Sequence, residues 1–316
     1  MKTKLLCMLL LLGFCSPLLA TVPLNEIPQD TKWIAHIDIG AIGNTEMYRI
    51  CQNDAKYADF LRAMDKINDK TGLNLPEDLQ SITIFGDNFQ EERGMIIARG
   101  FFDVDKIGDA VMDKVAWTES YYGRHTIYNC TEQAKYKAFL VCYISQEYML
   151  VTKQKDLMEK TLDVIDRKRN AKNATNSEIA NNLANLPAGT IFTAAVTEMP
   201  KGKSRPQGQP NMMQNVNKMT VVAGESNGKV FMKMEAICNT AENAANMAQM
   251  GNGILAMAKM YAPLPEAQDL LNAMTITADG DRLICNFSFD SDKFIANMKV
   301  VGEKARQMKS AGRARR

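Results

Sequence analysis

Histidine is scarce in this chain: His36 and His125 are the two among 316 residues. Neither sits near a Gly-x-Ser-x-Gly turn or another setting that would expose and activate a nucleophile, so no Ser-His-Asp or Cys-His arrangement can be read. Cys-x-x-Cys pairs are missing too, which removes the usual spacing for zinc or a redox dithiol. The glycines around Gly86 and Gly100 are not followed by a Lys-Ser or Lys-Thr pair. The acids near them do not alternate about a central glycine, so neither a phosphate loop nor a calcium loop is present. No cofactor and no metal is therefore expected, and the chain reads as a non-enzyme.

Charge of one sign is lacking as well. Lysine and arginine number 38 against 36 acidic residues, and Lys2 and Lys4 lie in the leader described below, which leaves 36 against 36. A near-neutral surface carries no field that would draw in nucleic acid or an anionic membrane, and aromatics do not interleave with basic residues. Beyond Phe14 no apolar run is long enough to span a bilayer. No nucleic-acid partner and no transmembrane segment in the mature chain are expected.

The first twenty residues are different. A basic start at Lys2 and Lys4 leads into an apolar run from Leu5 to Phe14, then "SPLLA" ends at Ala20. That order predicts a secretory signal peptide cut after Ala20, and hence an exported, periplasmic or secreted protein. Phe14 before Cys15 argues against a lipid-anchored variant. Of seven cysteines, Cys7 and Cys15 leave with the leader. Cys51, Cys130, Cys142, Cys238 and Cys285 remain, an odd number that leaves at least one thiol unpaired. Cys130 and Cys142 fall on successive strand-like segments and could face each other as a disulfide. Buried reduced thiols are the alternative, because sequence does not fix the register.

What is present is strand and helix periodicity. Trp33, Ala35, Ile37 and Ile39 alternate with His36 and Asp38, which predicts a strand whose apolar side is covered and whose polar side is wet. A helix is expected over 45–70, with Tyr57, Phe60, Leu61, Met64 and Ile67 on one side. "QSITIFGDNFQEERGMIIARGFF" reads as a hairpin with solubilising charges Glu91, Glu92 and Arg93 at its tip. Asp103 is placed to cap the helix that follows, with Val104, Ile107, Ala110, Val111 and Val115. "YGRHTIYNC" and "KAFLVCYIS" predict a second hairpin, "YMLVT" a strand, and 154–169 a helix with Leu157, Thr161, Leu162 and Ile165 inward. The later residues repeat hairpin then helix twice, turning at Asn227-Gly228 and Asp279-Gly280, with Thr240 near a cap.

These elements predict an α+β protein of antiparallel sheets covered by helices, in ferredoxin-like hairpin–helix units that are duplicated. The expected parts are a leader over 1–20, an N-terminal half over 21–170 and a C-terminal half over 171–309. The last contains a mobile loop at 198–215, and 310–316 is expected to be a disordered basic tail.

Methionine is plentiful at 21 residues. Met247, Met250, Ile254, Met257 and Tyr261 recur at steps of three and four, a stripe expected to pack into the core. Two sharper readings compete with it. Met247, Met250 and Met257 would suit contact with an apolar ligand or partner, because the thioether chain is adaptable. Copper(I) would need histidine beside the methionines, and none is there.

"TKWIAHIDIGAI", "LQSITIFG", "ARGFFDVDKI" and "YGRHTIYN" together resemble segments of exported bacterial proteins of unknown function. The resemblance implies a cell-envelope or secreted protein and marks His36, Asp38, Gly123 and His125 as structural signatures. It carries over no activity. The function expected is that of a non-enzymatic binding or scaffolding protein of the bacterial cell envelope whose partner is an unknown envelope protein. A periplasmic carrier of lipid or another apolar ligand is the alternative.

Overall fold

A computed structural model describes residues 22–52, 68–69, 75–90, 92–103, 105, 107, 116–131, 138–169, 183, 186–199 and 212–314. The leader over 1–20, the apolar stripe from Tyr57 to Ile67, most of the helix after Asp103 and the centre of the 198–215 loop lie outside them. Strands β1 (Trp33–Asp38), β2 (Leu79–Gly86), β3 (Met95–Gly100), β4 (Trp117–Tyr122), β5 (His125–Cys130), β6 (Phe139–Ser145) and β7 (Tyr148–Thr152) precede β8 (Thr190–Val196). Then come β9 (Val216–Ser226), β10 (Lys229–Cys238), β11 (Met274–Asp279) and β12 (Arg282–Asp290). The helices are α1 (Ile39–Ile42), α2 (Glu46–Gln52), α3 (Leu75–Asp78), α4 (Lys155–Ile165), α5 (Ala241–Tyr261), α6 (Pro265–Asn272) and α7 (Ser291–Ala314).

Among the described residues twelve strands join one sheet in the order β11-β12-β10-β9-β8-β1-β2-β3-β7-β6-β5-β4, and every neighbouring pair is antiparallel. The mixed, antiparallel class is as expected, but the number of sheets is not: the two halves share a single sheet, joined where Ala35 of β1 faces Ala194 of β8. From that seam one wing runs β1-β2-β3-β7-β6-β5-β4 and the other β8-β9-β10-β12-β11. Each wing starts with consecutive antiparallel neighbours and then folds its last strands back so that they file inward from the edge.

The ferredoxin-like expectation needs correction. A split βαβ unit places a third strand between two parallel ones. In the first wing β2 lies directly beside β1 and runs back against it, so the strand–helix–strand run there is not split. In the second wing the motif does occur: β10, α5 and β11 enclose β12, which pairs with both strands. The final helix also extends to Ala314, into residues expected to form a disordered tail.

Turn chemistry sets the hairpins. Asn227 and Gly228 both take positive φ, 52° and 70°, the pair that matches the right-handed twist of the flanking strands. Gly86 has a different reason to be glycine. A Cβ there would fall 2.7 Å from the Trp33 indole, whose Nε1 donates to the Asn88 carbonyl at 2.7 Å. The stretch is a seat for a tryptophan, not a ligand cradle.

The main core lies on one face of the first wing. Ile34, Phe85, Met95, Ile97, Ile127, Cys142, Leu150 and Ala195 pack under Leu157, Met158 and Leu162 of α4, with Val22, Leu24 and Ile27 of the entering chain. In the second wing Ala244 and Ala248 of α5 pack on Val216, Ala236, Cys238 and Leu283, on the opposite face of the sheet. Thr240 caps α5, accepting from the Asn243 amide at 3.1 Å.

Candidate functional site

Both histidines make contacts within the fold. His36 is 3 % exposed, not on a wet face. Its Nδ1 lies 2.8 Å from Thr83 Oγ1, and Thr193, buried and with an unpartnered Oγ1, stands opposite it on β8. Asp38 is also buried, and its Oδ1 accepts from the Ala41 amide at 2.8 Å, starting α1. The alternation expected for β1 is present, but its covered side is the one that carries His36 and Asp38, and Ile37 lies on the open side. Residues 22–31 and α4 cover the side that carries His36, an arrangement that strand periodicity does not reveal.

His125 belongs to the Tyr-Gly-x-His turn, in which Gly123 has φ 59°. Its Nε2 lies 3.0 Å from Asp166 Oδ1, beyond the end of α4. Arg124 at 2.9 Å and Lys168 at 3.2 Å also pair with Asp166. Tyr122 donates its hydroxyl to Asp163 at 3.1 Å. The bond from His125, followed by Lys168 and Arg124, holds the Asp166 carboxyl down at about 2. These contacts dock a hairpin on a helix end.

Arg93 is more than a solubilising charge. Its guanidinium bonds Asp87 at 2.8 and 3.1 Å and Asp156 at 2.6 Å, and Lys160 joins Asp87 at 2.8 Å and Asp30 at 2.7 Å. Arg93, followed by Lys160, holds the Asp87 carboxyl far below the usual range. The cluster pins the β2–β3 turn to α4 and to the entering chain.

Cys130 and Cys142 are free thiols, so the disulfide expectation is corrected. Cys130 pairs with Phe139 and Tyr128 with Val141, which puts Cys142 opposite Ile127 and on the other face of the sheet from Cys130. Burial pushes the Cys142 thiol up to about 11.

The sheet face opposite the main core carries what is left over. One row of directly opposed residues runs Ile276, Cys285, Met234, Val221, Ala194, Ala35. It continues through Ile84, Ile96, Val151, Val141 and Tyr128. At about 4.8 Å per strand this uncharged row extends about 48 Å. A second row beside it, from Met274 through Phe287, Met232, Ala223, Phe192 and Ile37 to Ile82, is also uncharged. Helix and loop cover its two ends: Phe102 and Ile107 pack on Ile82, Ala98 and Met149, while Phe294 of α7 meets Phe287 edge-on at 5.8 Å. Between them Ile37, Ile84 and Met232 stay 37 %, 36 % and 36 % exposed.

Helix α5 flanks that strip. Gly251 faces Ile276, where a Cβ would come within 3.0 Å of the side chain. Asn252 donates to the Ile276 carbonyl at 3.0 Å. Asp279 and Arg282 bracket a two-residue turn, so Ile276 occupies a non-hydrogen-bonded pair and its carbonyl points off the sheet edge. With Asn252 on the edge side, a step of about 100° per residue turns Met250, Ile254, Met257 and Tyr261 back over the sheet. Met247 packs against the second-wing core, but past it the stripe does not: Met250 and Met257 are 41 % and 54 % exposed, and the inward residues are Ala244, Ala248 and Leu255. Met247 parts from the other two, since its sulfur lies 3.8 Å from Cys238 Sγ. The three methionines therefore do not share one contact.

A separate cleft of about 350 Å3 opens between α2 and α7, walled by Met47, Cys51, Phe294, Ile295 and Met298. Glu225 fixes α2 in place, its two carboxylate oxygens accepting from the Glu46 and Met47 amides at 2.9 and 3.1 Å. Neither this cleft nor the exposed sheet rows were read from the sequence. The second missed feature had a signal: β8, the seam strand "TIFTAAV", stands between Pro187-Ala188-Gly189 and Pro200, a bounded β-prone run.

Neither a family model nor a curated protein matches the chain. Among solved structures it is similar to "crystal form III of TP0453", with a TM-score of 0.47, 12% identity and coverage of 88% of this chain and 98% of that one. Crystal forms IV and I of the same protein give TM-scores of 0.43 at 12% identity, covering 88% of this chain and 96% and 97% of theirs. At these values the likeness assigns no residue a role. No helix of the described residues is long and apolar enough to cross a membrane.

Proposed function

We propose that this chain is an exported, non-enzymatic binding or scaffolding protein of the bacterial envelope, which holds an apolar part of its partner against the open face of its sheet. The observation that supports it is the pair of uncharged rows, left more than a third exposed at Ile37, Ile84 and Met232 in the middle of a sheet. Interior strands of a soluble domain ordinarily bury such side chains, and contiguous apolar surface marks a contact. The absence of enzyme chemistry rests on both histidines being spent on structural contacts. Export rests on the order of residues Met1 to Ala20. The carrier alternative needs Met247, Met250 and Met257 around one cavity, and Met247 is turned to Cys238 instead.

Native protein is expected to brighten anilinonaphthalene sulfonate, a dye that fluoresces on exposed apolar surface. Ile84→Glu with Met232→Glu is expected to remove most of that signal at unchanged circular dichroism. Undiminished fluorescence in the double variant would defeat the proposal. Replacing His36 or His125 by alanine should leave an ester-hydrolysis panel at the level of the parent; a drop confined to one of them would restore the enzyme reading.

A further inference from the structure

The methionines of α5 have no histidine beside them, but the fold gives one of them a thiol. Cys238 ends β10 and is 2 % exposed. Its Sγ donates to Met247 Sδ at 3.8 Å, across the space between sheet and helix. Ala244 and Ala248 seat α5 on the sheet around that contact, and their small side chains bring the helix close enough for it. Two further thioethers, Met219 and Met199, pack on the same cluster. Met219 stands on β9, the strand next to Cys238, opposite Ala236. Met199 is one strand further off, its amide donating to the Asn217 carbonyl of β9 at 3.0 Å. Four sulfur side chains from distant parts of the chain therefore share one small core. Among the described residues no three His, Cys, Asp or Glu side chains come together to hold a metal, so harder ligands do not compete with these sulfurs.

The geometry points to a site for one soft monovalent ion, copper(I), with Cys238, Met247 and Met219 as its sulfur ligands. Two sulfurs each about 2.3 Å from one metal ion, at angles between tetrahedral and trigonal, stand about 3.8–4.0 Å apart. Cys238 and Met247 already have that spacing, 3.8 Å. Two sulfurs in plain contact have it too, so the rest of the set selects the ion. Thiolate and thioether are the donors that copper(I) prefers, whereas zinc takes nitrogen, oxygen or several thiolates. Charge points the same way. Burial pushes the Cys238 thiol up, so it carries its proton at neutral pH. Binding breaks the S–H bond, forms an S–Cu bond and releases the proton to water, and no electron moves. A monovalent ion on one thiolate is neutral and suits an apolar core, where a divalent ion would leave a net charge. Met219 and Met247 are half-buried and give the ion its way in. The site shares no residue with the two open sheet rows, so either reading can fail without the other.

The test uses the chain from Thr21 to Arg316, reduced and under argon. Copper(I) is buffered by a bathocuproine chelator, with silver(I) as a redox-silent probe and zinc(II) as control. The parent is expected to retain one copper(I) or silver(I) through gel filtration, and X-ray absorption of the copper form should show sulfur alone at about 2.3 Å. Cys238→Ala should abolish retention. Met247→Leu and Met219→Leu conserve volume, so their unfolding midpoints should hold. Each should weaken binding by about tenfold or more, since even a group behind a ligand costs that much. Cys51→Ser and Cys285→Ser, at the two half-buried thiols, should match the parent. Should Cys238→Ala fail to fold, the leucine variants and the absorption spectrum of the parent still decide. No retention by the parent, a nitrogen or oxygen shell, or parent affinity in either leucine variant overturns the inference. So does zinc(II) held as tightly as copper(I). Copper lost with Cys51→Ser or Cys285→Ser overturns it too, as adventitious binding at an outer thiol.

Discussion

The two wings of the sheet bury their residues differently. In the first, α4 and the entering chain press on one face, and several of the polar groups caught there are bonded: His36 to Thr83, Asp38 to an amide, Asp87 to Arg93 and Lys160. In the second, helices lie on one face, and the other is left polar, with Lys233 and Arg282 both paired to Glu235 and Asn286 and Ser288 exposed. The difference shows where the molecule spends its side chains on holding shape and where it leaves some over. Apolar residues remain uncovered along the seam and on the helical side of the second wing, not in the first wing's core.

The sharpest way to break this comparison is to cut into both cores. Phe85 is fully buried under α4, and Phe85→Ala is expected to cost about 3–5 kcal/mol in denaturant unfolding. Leu283, 5 % exposed beneath α5, has fewer buried neighbours, so Leu283→Ala is expected near the low end for leucine, about 2–3 kcal/mol. A larger loss at Leu283 than at Phe85 would show that the second wing, not the first, carries the stability. A smaller effect, about 1–3 kcal/mol, is expected for Arg93→Ala, which strips a partly buried Asp87 of one of its two cationic partners.

The hairpin latch at Asp166 adds a pH test. Its carboxyl titrates lower in the folded chain, about 2, than the ordinary carboxylate value, with the His125 bond as the main cause. A depressed carboxyl stabilises the fold at pH values above its unfolded value and loses that contribution as pH falls toward the folded one. Asp166→Asn should therefore lower stability at neutral pH. The gap to the parent should close between about pH 4 and pH 2, read from urea midpoints at each pH. A gap that persists at pH 2 would mean that Asp166 acts through packing alone.

Local chemistry was legible in the sequence, and its partners were not. Asn227-Gly228, Thr240 and the strands at 33–38 and 148–152 follow from turn, cap and alternation rules that involve a few residues. Which side of β1 is covered depends on α4, more than a hundred residues away, so His36 was placed in water when it is buried. The same limit reversed α5. A stripe of Met250, Ile254 and Met257 at helical spacing looks like a core face. The true core face is Ala244, Ala248 and Leu255, and the two alanines are small enough to let the helix settle on β11 and β12. Cys130 and Cys142 failed for a related reason: one residue of register decides which face of a strand a thiol occupies. The open sheet rows required the order of all twelve strands, which no local pattern encodes.

The smallest effect is the most telling about α5. If Met250 and Met257 are surface residues facing across the open strip, replacing both by glutamine removes little packing, and stability should change by no more than about 0.5 kcal/mol. The same double change made at Ala244 and Ala248 should be severe, because those positions touch the sheet and have no room for a longer chain. Dye binding should fall in the methionine variant while its unfolding midpoint holds. A loss of more than about 2 kcal/mol would instead place the methionines in the core, and the surplus of apolar surface that separates the two wings would disappear with them.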